Sequence, residues 1–422
     1  MKKSFFLGVS ALLFASFAMA QSGTNSPYSQ YGLGILADQS QGFSRGMNGA
    51  GLGLRMGNVV NTLNPASYSA IDSLTMIFDM GVSGYRTNFK EGKAKVNAQN
   101  ASLDYAVGSF RLLPKLGMTF GILPYSNMGY NYTASQYLDN TNGTITKTYS
   151  GDGGLHKVLV GAGWQIAKQL SIGANVSYLW GSLTHGMSTA STTNINALQR
   201  SYSVDVTNYT LDFGVQWHQQ LNKEDGLTIG ATVGIGHKLN ADPTCMVINV
   251  NNADTTSYTI ANGLSLPMTY AVGVAWTKGR KWVVDADFSF ENWAKVDFPE
   301  IDANDRYVLQ SGLLRSRYQV RAGADFTPNA ADRKFLNRVH YRFGAGFSTP
   351  YYNINGKEGP RELSVSAGFG IPLQNAYNNR SFLNVSFQYV NTSAKDMIRE
   401  NTIRVNVGLT FNERWFAKWK ID

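Results

Sequence analysis

Residues 227–236, LTIGATVGIG, decide the fold, because apolar and small residues alternate there without a break. Leu227, Ile229, Val233 and Ile235 fall on one face of an extended chain, and the opposite face carries only Thr and Gly. Successive side chains of a β-strand point to opposite sides. This period of two therefore predicts a strand with one apolar face and one polar face.

The same alternation recurs from about residue 74 onward, as in 362–371, ELSVSAGFGI, and 403–411, IRVNVGLTF. It predicts about fourteen strands, each long enough to cross a bilayer at a tilt. The predicted strands lie near 74–89, 100–112, 115–130, 155–166, 169–183, 202–219, 225–238, 265–277, 281–293, 314–326, 338–348, 361–372, 380–391 and 400–411. A soluble two-sheet sandwich also alternates, but its strands are usually shorter and fewer. We therefore predict an all-β fold, a transmembrane antiparallel β-barrel at 74–411.

The connections between these strands alternate in length, which tests the prediction independently. The longer ones are 131–154, 184–201, 239–264 and 294–313. Turns such as Leu113-Pro114 lie between them and are tight. Outer-membrane barrels have short periplasmic turns and long outer loops, so both ends of the barrel are expected in the periplasm. The charged face must look inward, since Arg or Lys facing lipid at the midplane costs about 2–4 kcal/mol.

Composition excludes several other classes of protein. Of the 422 residues, 15% are charged and 43 are Gly, which is typical neither of a disordered chain nor of a helical membrane protein. The net charge of +9 is spread along the chain, so no nucleic-acid partner is predicted. The single Cys245 excludes an internal disulfide. The five His residues lack ligand spacing and no catalytic constellation is recognisable, so we predict no metal, no cofactor and no enzyme.

The two ends of the chain differ from the alternating part. Residues 1–20 predict a secretory signal peptide, with Lys2 and Lys3, an apolar run and then Ala18-Met19-Ala20. Residues 412–422 mix Trp and Phe with Arg and Lys, which suits a tail at the membrane interface. The alternative is that this tail docks onto a partner.

Residues 21–73 lack the alternation and are rich in Gly, Ser and Asn. They also contain many apolar side chains, among them Tyr28, Leu33, Leu52 and Val60, which is too many for a free tail. The expected place for this segment is the lumen, as a hatch or plug.

One run of this segment resembles a known family. Asn58–Ala66, NVVNTLNPA, followed by the first strand, resembles the hatch signature of FadL-type outer-membrane proteins, the OmpP1/FadL/TodX group. The opening Asn25–Gly32 and the ending Phe411–Phe416 resemble the Bacteroidota branch of that group. The resemblance implies a fourteen-stranded barrel with an N-terminal hatch, which passes long-chain fatty acids or other hydrophobic compounds. Some relatives in that branch resemble accessory subunits of secretion or assembly machines.

Two candidate sites concern passage through the barrel. Asn64, Pro65 and Ala66 are either a hatch element that moves to open a path or a rigid turn that seats the plug. On the third strand, Pro124 cannot donate to the strand ladder, so a local break is expected near Gly121 and Pro124. By resemblance this break is a lateral portal into the membrane. The alternative is a bulge without a hole.

A charged set is predicted on the lumen faces of the ninth to eleventh strands. Because same-face residues of neighbouring strands meet, acid-to-Arg ladders are expected across strands nine and ten. The set either holds barrel and plug together or attracts the carboxylate of a substrate. Its members are Asp285, Asp287 and Glu291, then Arg315, Arg317 and Arg321, then Arg338 and Arg342.

The resemblance predicts a monomeric channel of the bacterial outer membrane for passive uptake of hydrophobic small molecules such as long-chain fatty acids. Substrate is captured near the outer loops, admitted past the hatch and released through the lateral opening into outer-membrane lipid. The alternative is a non-transporting barrel subunit of an outer-membrane protein assembly or secretion complex. An aqueous porin is disfavoured, because the plug would obstruct a lumen of this size.

Overall fold

The computed structural model describes residues 23–138, 143–191, 198–250, 254–302, 304–373 and 381–414. The predicted signal peptide lies outside these ranges, as does the predicted tail from residue 415 onward. Within the described ranges, no helix is both long enough and apolar enough to cross a membrane.

Fourteen antiparallel strands form a closed barrel, which confirms the predicted fold class. The strands are β1 Thr75–Glu91, β2 Ala94–Leu113, β3 Leu116–Leu138, β4 Gly143–Gln165, β5 Leu170–Ser191, β6 Leu198–Gln220, β7 Asp225–Gly234, β8 Thr269–Lys278, β9 Trp282–Glu291, β10 Arg317–Phe326, β11 His340–Ser348, β12 Arg361–Leu373, β13 Ser381–Ser393 and β14 Arg399–Arg414. The barrel closes where β14 pairs with β1, with Phe78 opposite Phe411.

The strands β3 to β6 are longer than the sequence pattern predicts. The prediction of loops at 131–154 and 184–201 was wrong, because the described residues there continue the strands. Pairing of β3 with β4 extends to Leu138 opposite Gly143, and the rings of Tyr132 and Tyr149 stack across it at 5.0 Å. Aromatic cross-strand pairs stabilise a sheet even where it carries no alternating apolar face.

Side chains alternate between lipid and lumen as the period of two requires. On β8, the outward residues Val272 and Val274 are 52% and 43% exposed. Ala275, which lies between Val274 and Trp276 and points inward, is 2% exposed. The exposed apolar face is the one expected to meet hydrocarbon. Its side chains lose contact with water there, and no polar side chain has to be desolvated.

The outer connections fold inward over the barrel. Residues 235–268 contain a hairpin of Thr244–Asn249 and Asp254–Thr259, which extends the sheet beside β6. The connection from β9 to β10 contains a second hairpin of Phe298–Ile301 and Tyr307–Gln310. These hairpins and the connection from β11 to β12 close the outer end of the lumen.

The N-terminal segment, residues 23–73, has little regular structure and is largely buried. Its elements are the 3-10 helix Pro27–Gln30, the short strand Ile35–Leu36, the helix Gly42–Arg45 and the 3-10 helix Pro65–Ala70. Met47 and Tyr68 are at most 1% exposed, and their neighbours are inward-facing residues of the strands. The segment therefore lies against the inner wall of the barrel.

Candidate functional site

Asn64 joins the N-terminal segment to the barrel wall. Its Oδ1 accepts from the Ala66 amide at 3.1 Å, which caps the helix Pro65–Ala70. Its Nδ2 donates to the carbonyl oxygens of Leu52 at 3.1 Å and of Val215 on β6 at 3.2 Å. Pro65 stands at the first helical position, where its fixed φ suits the helix and its missing N–H costs nothing. Both polar atoms of the Asn64 side chain are thus bonded, the oxygen within the turn and the nitrogen to Leu52 and the barrel wall.

Glycines on three successive strands make room for this turn. A Cβ added at Gly214 would lie 2.2 Å from Asn64 Oδ1, and one added at Gly163 or Gly173 would lie 2.4 Å from the Pro65 carbonyl oxygen. Gly163 is opposite Gly173, which is opposite Gly214. The three strands therefore present bare backbone to the turn, and any larger side chain would displace it. We call these three residues the glycine seat.

Of the predicted acidic residues of β9, Asp287 binds the N-terminal segment directly. Asp287 accepts from the amides of Gly51 at 2.7 Å and of Leu52 at 3.1 Å. Asp285, two residues earlier, is fully buried on the same lumen face. Glu291 pairs with Arg317 on β10 at 3.2 Å and accepts from the Trp293 indole at 2.7 Å.

Arg321 and Arg342 contact the N-terminal segment from β10 and β11. Arg321 lies 3.6 Å from Asp38. Arg342 donates to Asp325 at 2.8 Å and lies over the Phe43 ring at 4.1 Å. Burial opposes ionisation of Asp38, but Arg321, Arg45 and the Ser40 hydrogen bonds outweigh burial and hold the pKa of that carboxyl below its usual range.

Two arginines of the predicted lumen network lie elsewhere. Arg315 precedes β10 and pairs with Glu358 in the outer connections at 3.4 Å. Arg338 ends the short helix Phe335–Arg338 in the turn between β10 and β11. The prediction that they lie on strands ten and eleven was wrong, because pairing begins later than the pattern indicates, at Arg317 opposite Glu291 and at His340 opposite Gly370.

The barrel wall is interrupted between β2 and β3, beside the predicted break. Pairing of these strands runs from Leu113 opposite Leu116 to Ala106 opposite Ile122 and extends no further among the described residues. Gly121 lies in the last paired stretch, opposite Val107. Pro124 lies just beyond it, and β3 there carries a bulge towards β4, between Pro124 and Ser126. The two strands are therefore separate over their outer halves.

A cavity of about 400 Å³ lies between the N-terminal segment and the strands, and it reaches both rims of this interruption. Its walls carry seven acidic and five basic side chains beside apolar ones such as Leu63, Phe89 and Phe347. The charged ones are Asp38, Asp104, Asp212, Asp287, Glu291, Glu362 and Glu400, with Arg45, Lys157, Arg317, Arg321 and Arg404. An alkyl chain in this cavity would therefore meet charged side chains as well as apolar ones.

The outer end of the lumen is filled by an apolar core. Trp293, Leu264 and Leu314 from the outer connections are at most 3% exposed and belong to one cluster with Leu33 of the N-terminal segment. The Tyr351 hydroxyl donates to the carbonyl oxygens of Tyr31, at 3.1 Å, and of Gly34. We call this cluster the outer cap. It joins the outer loops to the N-terminal segment.

Sequence reasoning did not find the glycine seat or the buried pair of Arg45 with Asp104 at 3.0 Å. A signal for the seat was present, because Gly recurs at lumen-facing positions of several predicted strands. The partner that requires it, the turn at Asn64, is far away in sequence.

A closed fourteen-stranded barrel with a buried N-terminal segment defines the fold of plugged outer-membrane channels. The toluene transporter TbuX of Ralstonia pickettii is similar, with 13% identity and a TM-score of 0.60 over 90% of this chain and 99% of that one. The toluene transporter TodX of Pseudomonas putida is similar at 15% identity and a TM-score of 0.59, over 90% of this chain and 100% of that one. A FadL homologue of Pseudomonas aeruginosa is 12% identical with a TM-score of 0.56, over 90% and 98%.

At these identities the likeness establishes the fold. It confirms the resemblance to FadL-type proteins at the level of structure, and these neighbours are transport proteins or their homologues rather than enzymes. The family model of BamG matches residues 1–422, and the chain belongs to the BamG family. No curated protein matches the sequence. The Bacteroidota-like branch stays a prediction.

Proposed function

We propose that this protein is a non-transporting barrel subunit of an outer-membrane protein assembly or secretion complex in a bacterium. The observation that carries the proposal is the closure of the lumen by two separate sets of contacts. The turn at Asn64 sits on the glycine seat, and the outer cap fills the other end. A route for substrate straight through the barrel would have to disrupt both.

The chemistry between these two closures also favours this class. A carrier of hydrophobic molecules needs an apolar cavity with a few placed polar groups. The cavity of this barrel instead carries twelve acidic and basic side chains. Several of them pair with each other or with the N-terminal segment, as Arg45 does with Asp104 and Glu291 with Arg317. Their arrangement suits the holding of a plug inside a barrel that serves as a platform. The BamG match points to the same class.

Native mass spectrometry of the protein extracted from its own outer membrane in mild detergent tests the proposal. We expect the protein mainly within a larger assembly, with the barrel free of small-molecule adducts. Recovery chiefly as single barrels that retain adducts of fatty-acid size would contradict it.

A second candidate function is passive uptake of hydrophobic small molecules such as long-chain fatty acids, through the hatch and a lateral opening. One observation favours it: the separation of β2 from β3 beyond Ala106 and Ile122, next to Pro124, which the cavity reaches. The likeness to toluene transporters supports it at the level of the fold. In this function Asn64, Pro65 and Ala66 are the hatch, Gly121 and Pro124 mark the portal, and the partners are substrate and outer-membrane lipid.

Uptake of a radiolabelled long-chain fatty acid by cells with and without the protein tests the second candidate. Faster uptake with the protein present, at equal growth and equal membrane integrity, is its expected result. Equal uptake in the two strains, together with recovery in an assembly, would reject the transport function and retain only the subunit function.

A further inference from the structure

The outer half of β2 has a free edge. Residues 94–103 pair with β1, from Glu91 opposite Ala94 to Val82 opposite Leu103. On the other side, pairing with β3 ends at Ala106, and no strand among the described residues takes its place. The backbone donors and acceptors on that side of β2 are therefore available to a further strand.

Part of this edge lies at the height of the membrane. The register joins Tyr389 on β13 to Ile403 on β14, Ile403 to Arg86 on β1, and Arg86 to Gln99 on β2. Tyr389 is one of the exposed rings that mark the outer membrane interface. Phe78, Met80 and Val82 on β1 are exposed and apolar, and Val82 lies opposite Leu103, so the inner end of this edge lies beside the lipid-facing surface, where water cannot satisfy unpaired backbone groups.

The facing rim of the interruption shows how such an edge is covered in this fold. The short strand of Ile35 and Leu36 pairs antiparallel with Asn127 and Ser126 of β3. The Ala37 amide adds a hydrogen bond to the Tyr125 carbonyl oxygen at 2.9 Å. An extended segment therefore pairs with part of the edge of β3, at Ser126 and Asn127, whereas the outer edge of β2 has no such partner within the described chain.

The outer surface beside this edge also lacks the features of a lipid contact. Exposed rings mark the outer interface on six other strands, at Tyr178, Tyr209, Tyr270, Tyr318, Phe347 and Tyr389. In the row of paired residues that continues from Tyr389 through Ile403, the outward residues of β1 and β2 are Gly84, Arg86, Gln99 and Ala101. The outer surface beside the edge therefore presents small, polar and charged side chains rather than rings.

The tip of the β1–β2 hairpin is basic. Arg86, Lys90, Lys93 and Lys95 are exposed there, against a single exposed acid, Glu91. Opposite charge across an interface steers association and sets register. An extended partner segment with acidic side chains beyond its pairing stretch complements this surface.

We propose that residues 94–103 of β2 are a docking edge that binds an extended, acidic segment of another polypeptide by β-strand addition, at the interruption between β2 and β3. The occupant is a protein strand rather than a lipid, because only a strand satisfies a row of backbone groups. This inference rests on the proposed function and deepens it, since it names the surface through which the subunit contacts its complex.

Amide hydrogen exchange in three preparations tests the docking edge: native outer membranes, vesicles containing lipopolysaccharide but no other protein, and detergent. We expect residues 94–103 to exchange at least about tenfold more slowly in native membranes than in the other two. Residues 82–90 of β1, which pair on both sides, serve as the internal control and should exchange equally in all three. Equal protection in the protein-free vesicles would assign the edge to lipid, and fast exchange in all three would leave it without a partner. Either result overturns the proposal.

A matched pair of charge reversals adds a second readout. Arg86→Glu combined with Lys95→Glu should remove the protection seen in native membranes, because both positions would then repel an acidic segment. Lys357→Glu, on the exposed outer hairpin between β11 and β12, should leave that protection intact. Unchanged protection in the double variant, with the barrel folded, would contradict the acidic character of the partner.

The outcome is separable from that of the proposed function. Recovery of the protein in a large assembly, with residues 94–103 exchanging fast in native membranes, would retain the subunit function and reject this docking edge. Recovery as single barrels would reject the subunit function whatever the exchange result.

Discussion

The N-terminal segment meets the barrel wall in two different ways. At β4, β5 and β6 the wall is continuous, and the turn at Asn64 lies against the bare backbone of the glycine seat. Along the outer half of β3 the neighbouring strand β2 is no longer paired, and the segment pairs there as a strand of its own through Ile35 and Leu36. The first contact depends on close packing, which tolerates no added volume. The second depends on backbone hydrogen bonds, which tolerate many side chains but require an extended chain.

The largest expected effect comes from filling the glycine seat. Gly214→Val would place Cβ 2.2 Å from Asn64 Oδ1, and neither the strand backbone nor the capped turn can move away without losing its hydrogen bonds. We expect the free energy of unfolding to fall by about 3 kcal/mol or more, or the variant to fail to fold. Heat-modifiable electrophoretic mobility and denaturant unfolding in detergent measure it. Gly84→Val is the matched control, since a Cβ at Gly84 meets nothing within 4 Å, and it should be nearly neutral.

The second-largest loss of stability is expected from removal of the Asp287 carboxylate. Asp287→Ala would leave the buried amides of Gly51 and Leu52 without their acceptor, at a cost of about 2–3 kcal/mol. Asp287→Asn keeps one acceptor oxygen and should lose about half as much. Denaturant unfolding of the two variants measures this difference. Equal losses would mean that the charge, rather than the two hydrogen bonds, holds the segment.

A smaller effect is expected where the segment pairs with β3. Ala37→Pro removes the amide that donates to the Tyr125 carbonyl oxygen and should cost about 1 kcal/mol. Hydrogen exchange of residues 126–129 should then accelerate, while β4 to β6 stay protected. If exchange accelerated at β4 to β6 as well, the two contacts would form one cooperative unit rather than two separate ones.

The smallest effect is expected at Pro65. Pro65→Ala keeps the turn compatible with its helix, so we expect a loss of less than about 1 kcal/mol. Fatty-acid uptake and exchange of residues 60–70 decide between the two interpretations of the hatch signature. Unchanged uptake and unchanged exchange would mean that Pro65 only keeps the turn rigid. Altered uptake at unchanged stability would support a moving hatch.

The strand count and the facing of side chains were predictable because they are local properties. Leu227 to Ile235 alternate whatever the rest of the chain does, and each of the fourteen predicted strands has a counterpart in the barrel. Strand ends were less predictable. The outer parts of β3 to β6 pair through polar and aromatic side chains without apolar alternation, and Arg315 and Arg338 precede the strands to which they were assigned.

The same difference between local and long-range properties applies to the candidate site. The sequence placed Asn64, Pro65 and Ala66 in a tight turn and a break near Pro124, because proline restricts the backbone locally. It did not indicate that Asn64 bonds to Val215, 151 residues away, or that β2 loses its partner at Ala106. Such contacts depend on which distant segments share a surface.

By itself, the sequence determined an alternating, fourteen-stranded wall with a non-alternating segment before it, since a period of two acts residue by residue. The tertiary structure alone decided which glycines face that segment and where the wall stops pairing. Those outcomes depend on the register of whole strands and on the space left when a closed barrel encloses fifty residues of its own chain.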